Sequence, residues 1–269
     1  MSLVKHVAGA TDLEAGLQNY HDERSLEALK LQSAARNRME WFENVARYTH
    51  LAPWQFAYSL LTGSQRIGHQ NLRVRDAAYI RQVEGELARQ AGVDDARAPM
   101  FLPFRLRGMT LENRVVVSPM AQYSATDGLV SDWHLVHYGA RATGGAGLVV
   151  TEMTCVSPQG RITPGCTGLW SEAQRDGWAR IVAFIHANSV ARVCLQLGHA
   201  GRKGSTQLGW QDADRPLESG NWETLAPSAL PYLAGISAAP RAMQRADMVR
   251  VVAEFEQAAR LGAAAGFDM

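Results

Sequence analysis

The sequence predicts an α/β fold that is preceded by an all-helical segment, and three observations lead to that prediction. In the later part of the chain, short apolar runs alternate with longer segments of helical periodicity. Such alternation is typical of right-handed βαβ units around a parallel sheet. The first part shows helical patterns alone, without a glycine-rich phosphate loop or a βαβ pattern. Hydrophobic residues make up 46% of the chain, which is enough for a substantial core.

In the first part of the chain, residue types at the helix ends predict where the helices lie. Asp12 suits the cap of a first helical segment, and a long charged helix is predicted from about residue 22 to 48. Pro53 suits the first turn of a further helix, and Asp76 caps another that Gly92 closes. The apolar spacing of the long helix predicts buried positions at Leu26, Leu29, Met39, Phe42 and Val45.

A polar stretch with a proline, residues 93–100, marks the predicted domain boundary. We expect a helical segment over residues 1–95, a linker over 96–100 and an α/β domain over 101–269. A short hairpin with Gly108 at its turn is predicted at the start of that domain.

The α/β domain is predicted to begin its sheet with the β-branched run 115–117, which suits a strand buried on both faces. Because proline lacks an N–H, the strand must stop at Ser118-Pro119, which places small polar residues at its carboxyl end. The long connection 198–245 exceeds ordinary βα-loop length, so we expect a functional loop there. The predicted strands are 114–118, 147–152, 192–197 and a fourth that begins at 267; the predicted helices are 132–143, 172–188 and 246–264.

Composition excludes several classes of function. Lys and Arg total 27 against 26 acidic residues, so the net charge of +1 predicts neither a nucleic-acid partner nor attraction to an anionic membrane. Three widely spaced cysteines fit free thiols in a reducing compartment. No apolar run has the length of a signal peptide or a membrane span, so we expect a cytoplasmic protein.

Four sequence blocks carry a family resemblance. They are SPMAQYSATDGLVSDWHLVHYGARATGGAGLVVTE from Ser118, GRIT at 160–163, LQLGHAGRK at 195–203 and LAPSALPY at 225–232. In this order they resemble the Old Yellow Enzyme family, the FMN-dependent ene-reductases, in its thermophilic-like branch. The resemblance implies a (β/α)8 TIM barrel, of which we expect the chain to contain the first half, about four strands.

The resemblance also implies the residues that hold FMN and substrate. Tyr123 matches an aromatic residue on the substrate face, and the matched FMN contacts are Ser118, Pro119, Met120, Ala121, Met153 and Gln196. Two positions depart from the family: Ala121 stands where that branch often has a cysteine, and Met153 stands where a small residue is usual. The residues leave other interpretations open, namely a simple strand end, a core tyrosine and a buried structural glutamine.

The helical segment carries a second resemblance. LQNYHDER, with Tyr20 and Arg24, followed by RMEWFENVARY resembles the carboxyl-terminal end of an FAD-dependent aromatic hydroxylase. A hydroxylase fused ahead of an Old Yellow Enzyme module is the layout of 2-aminobenzoyl-CoA monooxygenase/reductase and of salicylyl-CoA 5-hydroxylase. We therefore expect residues 1–95 to be a remnant of such a hydroxylase, and the chain to be a fragment at both ends.

The resemblance implies an FMN-dependent oxidoreductase that passes hydride from NADH or NADPH through FMN to an activated C=C bond. The substrate would be a small enone or an aromatic acyl-CoA, and the folded protein is expected to be a homo-oligomer. The family's catalytic histidine pair and tyrosine are expected beyond Met269, so we assign no catalytic residue. The alternative is a catalytically incompetent fragment of a monooxygenase/reductase.

Several other polar residues have simpler interpretations. His134 and His137 are three apart on a predicted helix, but no third ligand accompanies them, so no metal site is predicted. Asp132 is expected to cap its helix rather than to form an acid/base pair with Glu152. His199 and Arg202 suit either phosphate or substrate binding, or a structural loop role.

Overall fold

A computed structural model describes residues 1–94 and 97–269 of the chain. They form two compact units, Met1–Arg97, here the helical unit, and Ala98–Met269, here the α/β unit. The predicted boundary between residues 95 and 96 lies outside the described residues. No helix within the described ranges is long and apolar enough to cross a membrane.

The helical unit contains five α-helices, and its predicted caps are confirmed. The Asp12 carboxylate accepts a hydrogen bond from Ala15 N at 2.8 Å, and that of Asp76 accepts one from Tyr79 N at 2.9 Å. The second helix begins directly after Asp12, earlier than predicted, and the first and fourth helices were not predicted. The helices are α1 (Ser2–Ala8), α2 (Leu13–Glu43), α3 (Pro53–Thr62), α4 (His69–Arg75) and α5 (Ala77–Gln90).

The predicted buried stripe of α2 is wrong. Four of its five members are more than half exposed, and Val45 is partly buried, beyond the end of α2; the four are Leu26, Leu29, Met39 and Phe42. At 31 residues α2 is about 46 Å long, whereas α1 and α3 have 7 and 10 residues. Those short helices cover only part of its length. Trp41 is buried instead, because its Nε1 donates to Ser59 Oγ of α3 at 2.8 Å and its ring stacks on Tyr48.

The α/β unit alternates strands and helices. The predicted hairpin is confirmed as an antiparallel pair of strands, although the turn residue with positive φ is Arg107, at 53°, and not Gly108. The helices are α6 (Asp132–Thr143), α7 (Glu172–Asn188) and α8 (Arg245–Ala265). The strands are β1 (Phe104–Leu106), β2 (Met109–Leu111), β3 (Val116–Val117), β4 (Leu148–Val150), β5 (Thr154–Cys155), β6 (Arg192–Cys194), β7 (Leu197–Gly198), β8 (Leu225–Ala226) and β9 (Arg241–Ala242).

The central sheet has three parallel strands in the order β3-β4-β6. Parallel pairing and the bounds of α6 and α7 agree with the sequence predictions, whereas each strand is shorter than predicted. The expectation that 115–117 is buried on both faces is wrong, since Val116 is 47% exposed. The reason is that β3 lies at the edge, paired with β4 alone among the described strands.

The core lies between this sheet and its helices. Trp178 of α7 is fully buried, and its ring lies 5.7 Å from that of Tyr138 in α6 and 5.6 Å from that of Phe267. The residues after α8 run beside β6, where Leu195 N donates to Met269 O at 2.7 Å. The predicted fourth strand thus has main-chain pairing of the expected kind, although it is not a regular strand.

Candidate functional site

The carboxyl ends of the central strands meet at one edge of the sheet. The register pairs Val117 with Val149 and Val150 with Cys194. Since parallel strands end at the same edge, the residues that follow each strand are brought together there. Those residues are the predicted contacts Ser118, Met153 and Gln196.

Gln196 is held through its main chain and leaves its side chain outside the core. Its N–H donates to Thr151 Oγ1 at 3.0 Å, and its carbonyl oxygen accepts from Thr154 N at 2.8 Å. The residue is exposed, and its side-chain amide makes no hydrogen bond with the described residues. The alternative of a buried glutamine that serves only the sheet is therefore wrong, and an amide remains available for a ligand.

Met153 lies between these segments and is partly buried. A Cβ atom on Gly198 would lie 2.4 Å from Met153 Cγ, so the methionine fills the space that a side chain at 198 would take. Glycine at 198 therefore accommodates the large residue at 153. This contact gives a physical reason why the departure at Met153 does not distort the strand ends.

The loop after β3, Ser118 to Ala121, is exposed. Gln122, which sequence reasoning missed, orders it: its Nε2 donates to Met120 O at 2.9 Å and its Oε1 accepts from Trp133 Nε1 at 3.2 Å. An exposed stretch with small residues lets a flat ligand approach the main chain closely. The sequence carries no local signal for this role, because it depends on Trp133 of α6 and on Glu152.

Tyr123 adopts a left-handed backbone conformation, with φ of 48°. Its carbonyl oxygen would lie 2.2 Å from a Cβ on Gly165, so only glycine fits opposite it. The ring is partly buried, 6.4 Å from that of Trp210, and burial raises the pKa of its hydroxyl. Tyr123 is thus a partly covered tyrosine beside the loop, which agrees with a residue that lines a site.

From the sequence, Glu152 is considered only as a possible acid/base partner of Asp132 and has no assigned role in the site. It lies two residues after the end of β4, is 1% exposed, and its Oε2 accepts from Gln122 N at 3.0 Å. Its Oε1 accepts from Tyr138 Oη at 3.2 Å and lies 3.5 Å from His134 Nε2. Burial raises the pKa of the Glu152 carboxyl to about 7, with the hydrogen bonds from Gln122 and Tyr138 opposing that rise.

Asp132 does not pair with Glu152 and does not cap its helix. The N-cap of α6 is Ser131, and the Asp132 carboxylate binds Arg180 of α7 at 2.7 Å. The expected capping role of Asp132 is therefore wrong. The neighbouring Ser131 occupies the cap position, one residue earlier in the chain.

The three cysteines are free thiols in the structure, and Cys155 and Cys166 are buried. A hydrogen bond between these two thiols raises the pKa of Cys155 and lowers that of Cys166 to about 6. Cys166 also accepts from Thr163 N at 3.4 Å. Both therefore stabilise the connection between β5 and the loop that faces Tyr123.

His134 and His199 are each hydrogen-bonded through Nδ1, whereas their Nε2 atoms are buried without a hydrogen-bond partner among the described residues. Among the described residues no three potential ligands group together as a metal site. His134 Nδ1 accepts from Ser131 N at 3.0 Å, and His199 Nδ1 accepts from Gly201 N at 3.0 Å. Arg202 donates to Ser228 Oγ at 3.2 Å. These contacts order the loops in which the residues lie, and a phosphate or substrate role for His199 and Arg202 stays a prediction.

Together these residues suit a flat heteroaromatic ligand with a polar edge. The exposed loop offers main-chain groups, Gln196 offers a donor and an acceptor on one amide, and Tyr123 lies beside them. The exposed Gln196 amide fits the pyrimidine edge of a flavin ring. The assigned residues contain no group for its phosphate, so the fit concerns the ring alone.

Comparison with known proteins identifies the family of the α/β unit. Residues 99–269 match the NADH:flavin oxidoreductase / NADH oxidase family. The chain is 40% identical over 174 residues to an NADH:flavin oxidoreductase of Gibberella zeae, covering 63% of this chain and 42% of that protein. It is 36% identical over 172 residues to an NADPH dehydrogenase of a Geobacillus species, covering 63% and 46%.

Solved structures similar to this chain include a morphinone reductase and an old yellow enzyme homologue. A morphinone reductase superposes with a TM-score of 0.54 at 30% identity, over 63% of this chain and 46% of that one. An old yellow enzyme homologue from Zymomonas mobilis superposes with a TM-score of 0.53 at 28% identity, over 64% and 47%. The chain thus spans less than half the length of the relatives it matches. The α/β unit has the fold of this group, and the chain belongs to the NADH:flavin oxidoreductase / NADH oxidase family.

Proposed function

We propose that the α/β unit forms the flavin-ring wall of an FMN-dependent NAD(P)H oxidoreductase that reduces an activated C=C bond. The observation that carries this proposal is the exposed Gln196 amide, held beside Met153 and the 118–121 loop at one sheet edge. Family membership supports the flavin, and the name of the Geobacillus relative supports NADPH as the reductant. A morphinone reductase of the same group was solved with tetrahydroNAD, which supports a nicotinamide at the site.

When bound, FMN would accept hydride from the nicotinamide and deliver it to the substrate. The chain's own residues would bind and orient the ring: main-chain groups of 118–121 and of Met153 would meet its edge, and the Gln196 amide would pair with its pyrimidine. Tyr123 lies on the substrate side and positions the acceptor. The proposed acceptor is a small enone or an aromatic acyl-CoA; the latter depends on the hydroxylase resemblance of the helical unit, which stays a prediction.

Flavin titration of the whole chain tests this proposal. FMN fluorescence is followed as protein is added, for the wild type, Gln196→Ala and Gln257→Ala. Gln257 lies exposed on α8, so its variant is a matched control for the loss of an amide. We expect saturable quenching by the wild type and the control, and at least about tenfold weaker binding by Gln196→Ala, because two hydrogen bonds are lost.

Anaerobic mixing of the flavin-loaded protein with NADPH, and then with an enone, tests the reaction itself. Bleaching of the flavin absorbance by NADPH and its return with the enone are the expected results. Wild-type chain that does not quench FMN, or an equal affinity for Gln196→Ala and Gln257→Ala, contradicts the proposed role of this edge.

A further inference from the structure

A buried carboxyl group lies directly beneath the candidate site. Glu152 and the preceding Thr151 are consecutive residues at the end of β4, and each holds one site segment. Thr151 Oγ1 accepts a hydrogen bond from the main-chain N–H of Gln196 at 3.0 Å. Glu152 Oε2 accepts one from the main-chain N–H of Gln122 at 3.0 Å. The two segments that would contact the flavin ring are therefore fixed from one short stretch of chain.

The Glu152 carboxyl group accepts hydrogen bonds from the Tyr138 hydroxyl and from main-chain amides of Gln122 and Tyr123. Tyr138 Oη accepts from Glu152 N at 2.9 Å, so the Tyr138 hydroxyl proton is directed at Glu152 Oε1, 3.2 Å away. His134 Nε2 lies 3.5 Å from the same oxygen but makes no hydrogen bond with the described residues. Both oxygens of the Glu152 side chain therefore accept a hydrogen bond. A carboxylate has two acceptor oxygens, whereas a carboxamide has only one.

The main-chain amide of Gln122 holds the loop next to a residue in a strained conformation. The next residue, Tyr123, has φ of 48°, a conformation that costs a non-glycine residue free energy and that persists only where its surroundings hold it. The Gln122 side chain fixes Met120 O on the other side. The Glu152 carboxyl group thus holds the residue between the exposed 118–121 loop and the strained Tyr123.

We propose that Glu152 is the positioning residue of this site, whose carboxyl group fixes the 118–123 loop through the Gln122 amide. Loss of this carboxylate frees the loop, although the sheet remains folded. The fixing of the loop follows from these contacts alone. Its effect on the flavin rests on the function proposed above.

Protonation of Glu152 then regulates the loop. A charged carboxylate accepts a stronger hydrogen bond from Gln122 than a neutral acid does, since charge-assisted bonds are about twice as strong. The titratable groups that face it are His134 and Tyr138 from α6, Tyr123 from the loop, and Cys155 and Cys166. Burial lowers the pKa of His134 to about 4, so His134 is neutral where Glu152 titrates.

The test observes the Gln122 amide by NMR in the ¹⁵N-labelled full chain between pH 5.5 and 8.5. In the wild type we expect its proton shift to titrate, with the amide moving downfield as the carboxylate forms. In Glu152→Gln the titration disappears and hydrogen exchange of that amide accelerates at least about tenfold, because its acceptor is weakened. Glu218→Gln removes an exposed carboxylate and leaves both measurements unchanged.

Two further variants separate positioning from general destabilisation. Glu152→Asp keeps the charge and should restore the titration in part, whereas Tyr138→Phe should shift its midpoint upward, because a donor to the carboxylate is lost. Fast hydrogen exchange of the Gln122 amide in the wild type, or exchange that Glu152→Gln leaves unchanged, overturns the inference; the first outcome does not require any variant to fold.

FMN affinity is measured in parallel. If the amide responds as expected and Glu152→Gln binds FMN at least tenfold more weakly than Glu218→Gln, both the inference and its effect on the flavin hold. If the amide responds but the wild type does not bind FMN, the proposed function fails and the loop positioning stands.

Discussion

The two units of the chain are both rich in helix, yet they bury apolar residues very differently. In the α/β unit, α6 and α7 cover the sheet, and Trp178, Val149 and Ile185 are fully buried. In the helical unit, the long α2 buries only Gly16 and Trp41. The difference shows that apolar periodicity predicts a helix, whereas burial requires a second element of matching length to pack over it.

The largest expected effect concerns the core of the α/β unit. Trp178→Ala removes a fully buried ring that contacts Tyr138 and Phe267, so we expect a loss of about 3–5 kcal/mol in the free energy of unfolding. Urea denaturation followed by circular dichroism measures it. Phe184→Ala, on the same helix but 39% exposed, is the control and should cost less. Equal losses of unfolding free energy for Trp178→Ala and Phe184→Ala would contradict the link between burial and stability in the α/β unit.

An intermediate effect concerns pH and Glu152. Its folded pKa, about 7, is raised above the ordinary value of 4.5, mainly by burial. A raised carboxyl pKa contributes stability that is full below pH 4.5 and lost as the pH rises through 7. The loss is on the order of 2–3 kcal/mol. Unfolding free energies at pH 4.5, 6 and 7.5 should show that this slope is smaller in Glu152→Gln than in Glu218→Gln; parallel curves would contradict the assignment.

The smallest expected effect concerns the helical unit. Leu29→Ala changes a side chain that is 61% exposed on α2, so we expect a change of at most about 0.5 kcal/mol in unfolding free energy. Trp41→Ala, at the packed end of the same helix, is the positive control and should lower the stability clearly. A large loss for Leu29→Ala would mean that this face is covered in solution.

Local signals accounted for much of the fold. The bounds of α6 and α7 agree with the prediction because their apolar spacing is regular, although the cap of α6 is Ser131 and not the predicted Asp132. The caps at Asp12 and Asp76 were predicted because an aspartate carboxylate suits the N-cap position. The extent of β3 and its exposure were not, because a β-branched run carries no information about how many neighbours a strand has.

The candidate site was predictable only in part. The strand ends placed Ser118, Met153 and Gln196 at one edge, and the family resemblance assigned their roles. The roles of Glu152 and Gln122 were not predicted, because they depend on partners that are distant in sequence. Glu152 accepts hydrogen bonds from Tyr138 of α6 and from Gln122, which lies 30 residues earlier in the chain. An acidic residue after a buried strand has no pattern of its own, and only the packed structure shows that it is enclosed.

The adjacent pair Thr151 and Glu152 has a consequence for how this region can change during evolution. The two side chains bind different segments, Thr151 the amide of Gln196 and Glu152 the amide of Gln122. Loops beyond these two residues tolerate insertions, but a single inserted or deleted residue between Val150 and Met153 would displace the side chains from their amides and disconnect both segments at once. This short stretch therefore constrains chain length as strictly as residue type, and length variation among related sequences should be confined to positions outside it.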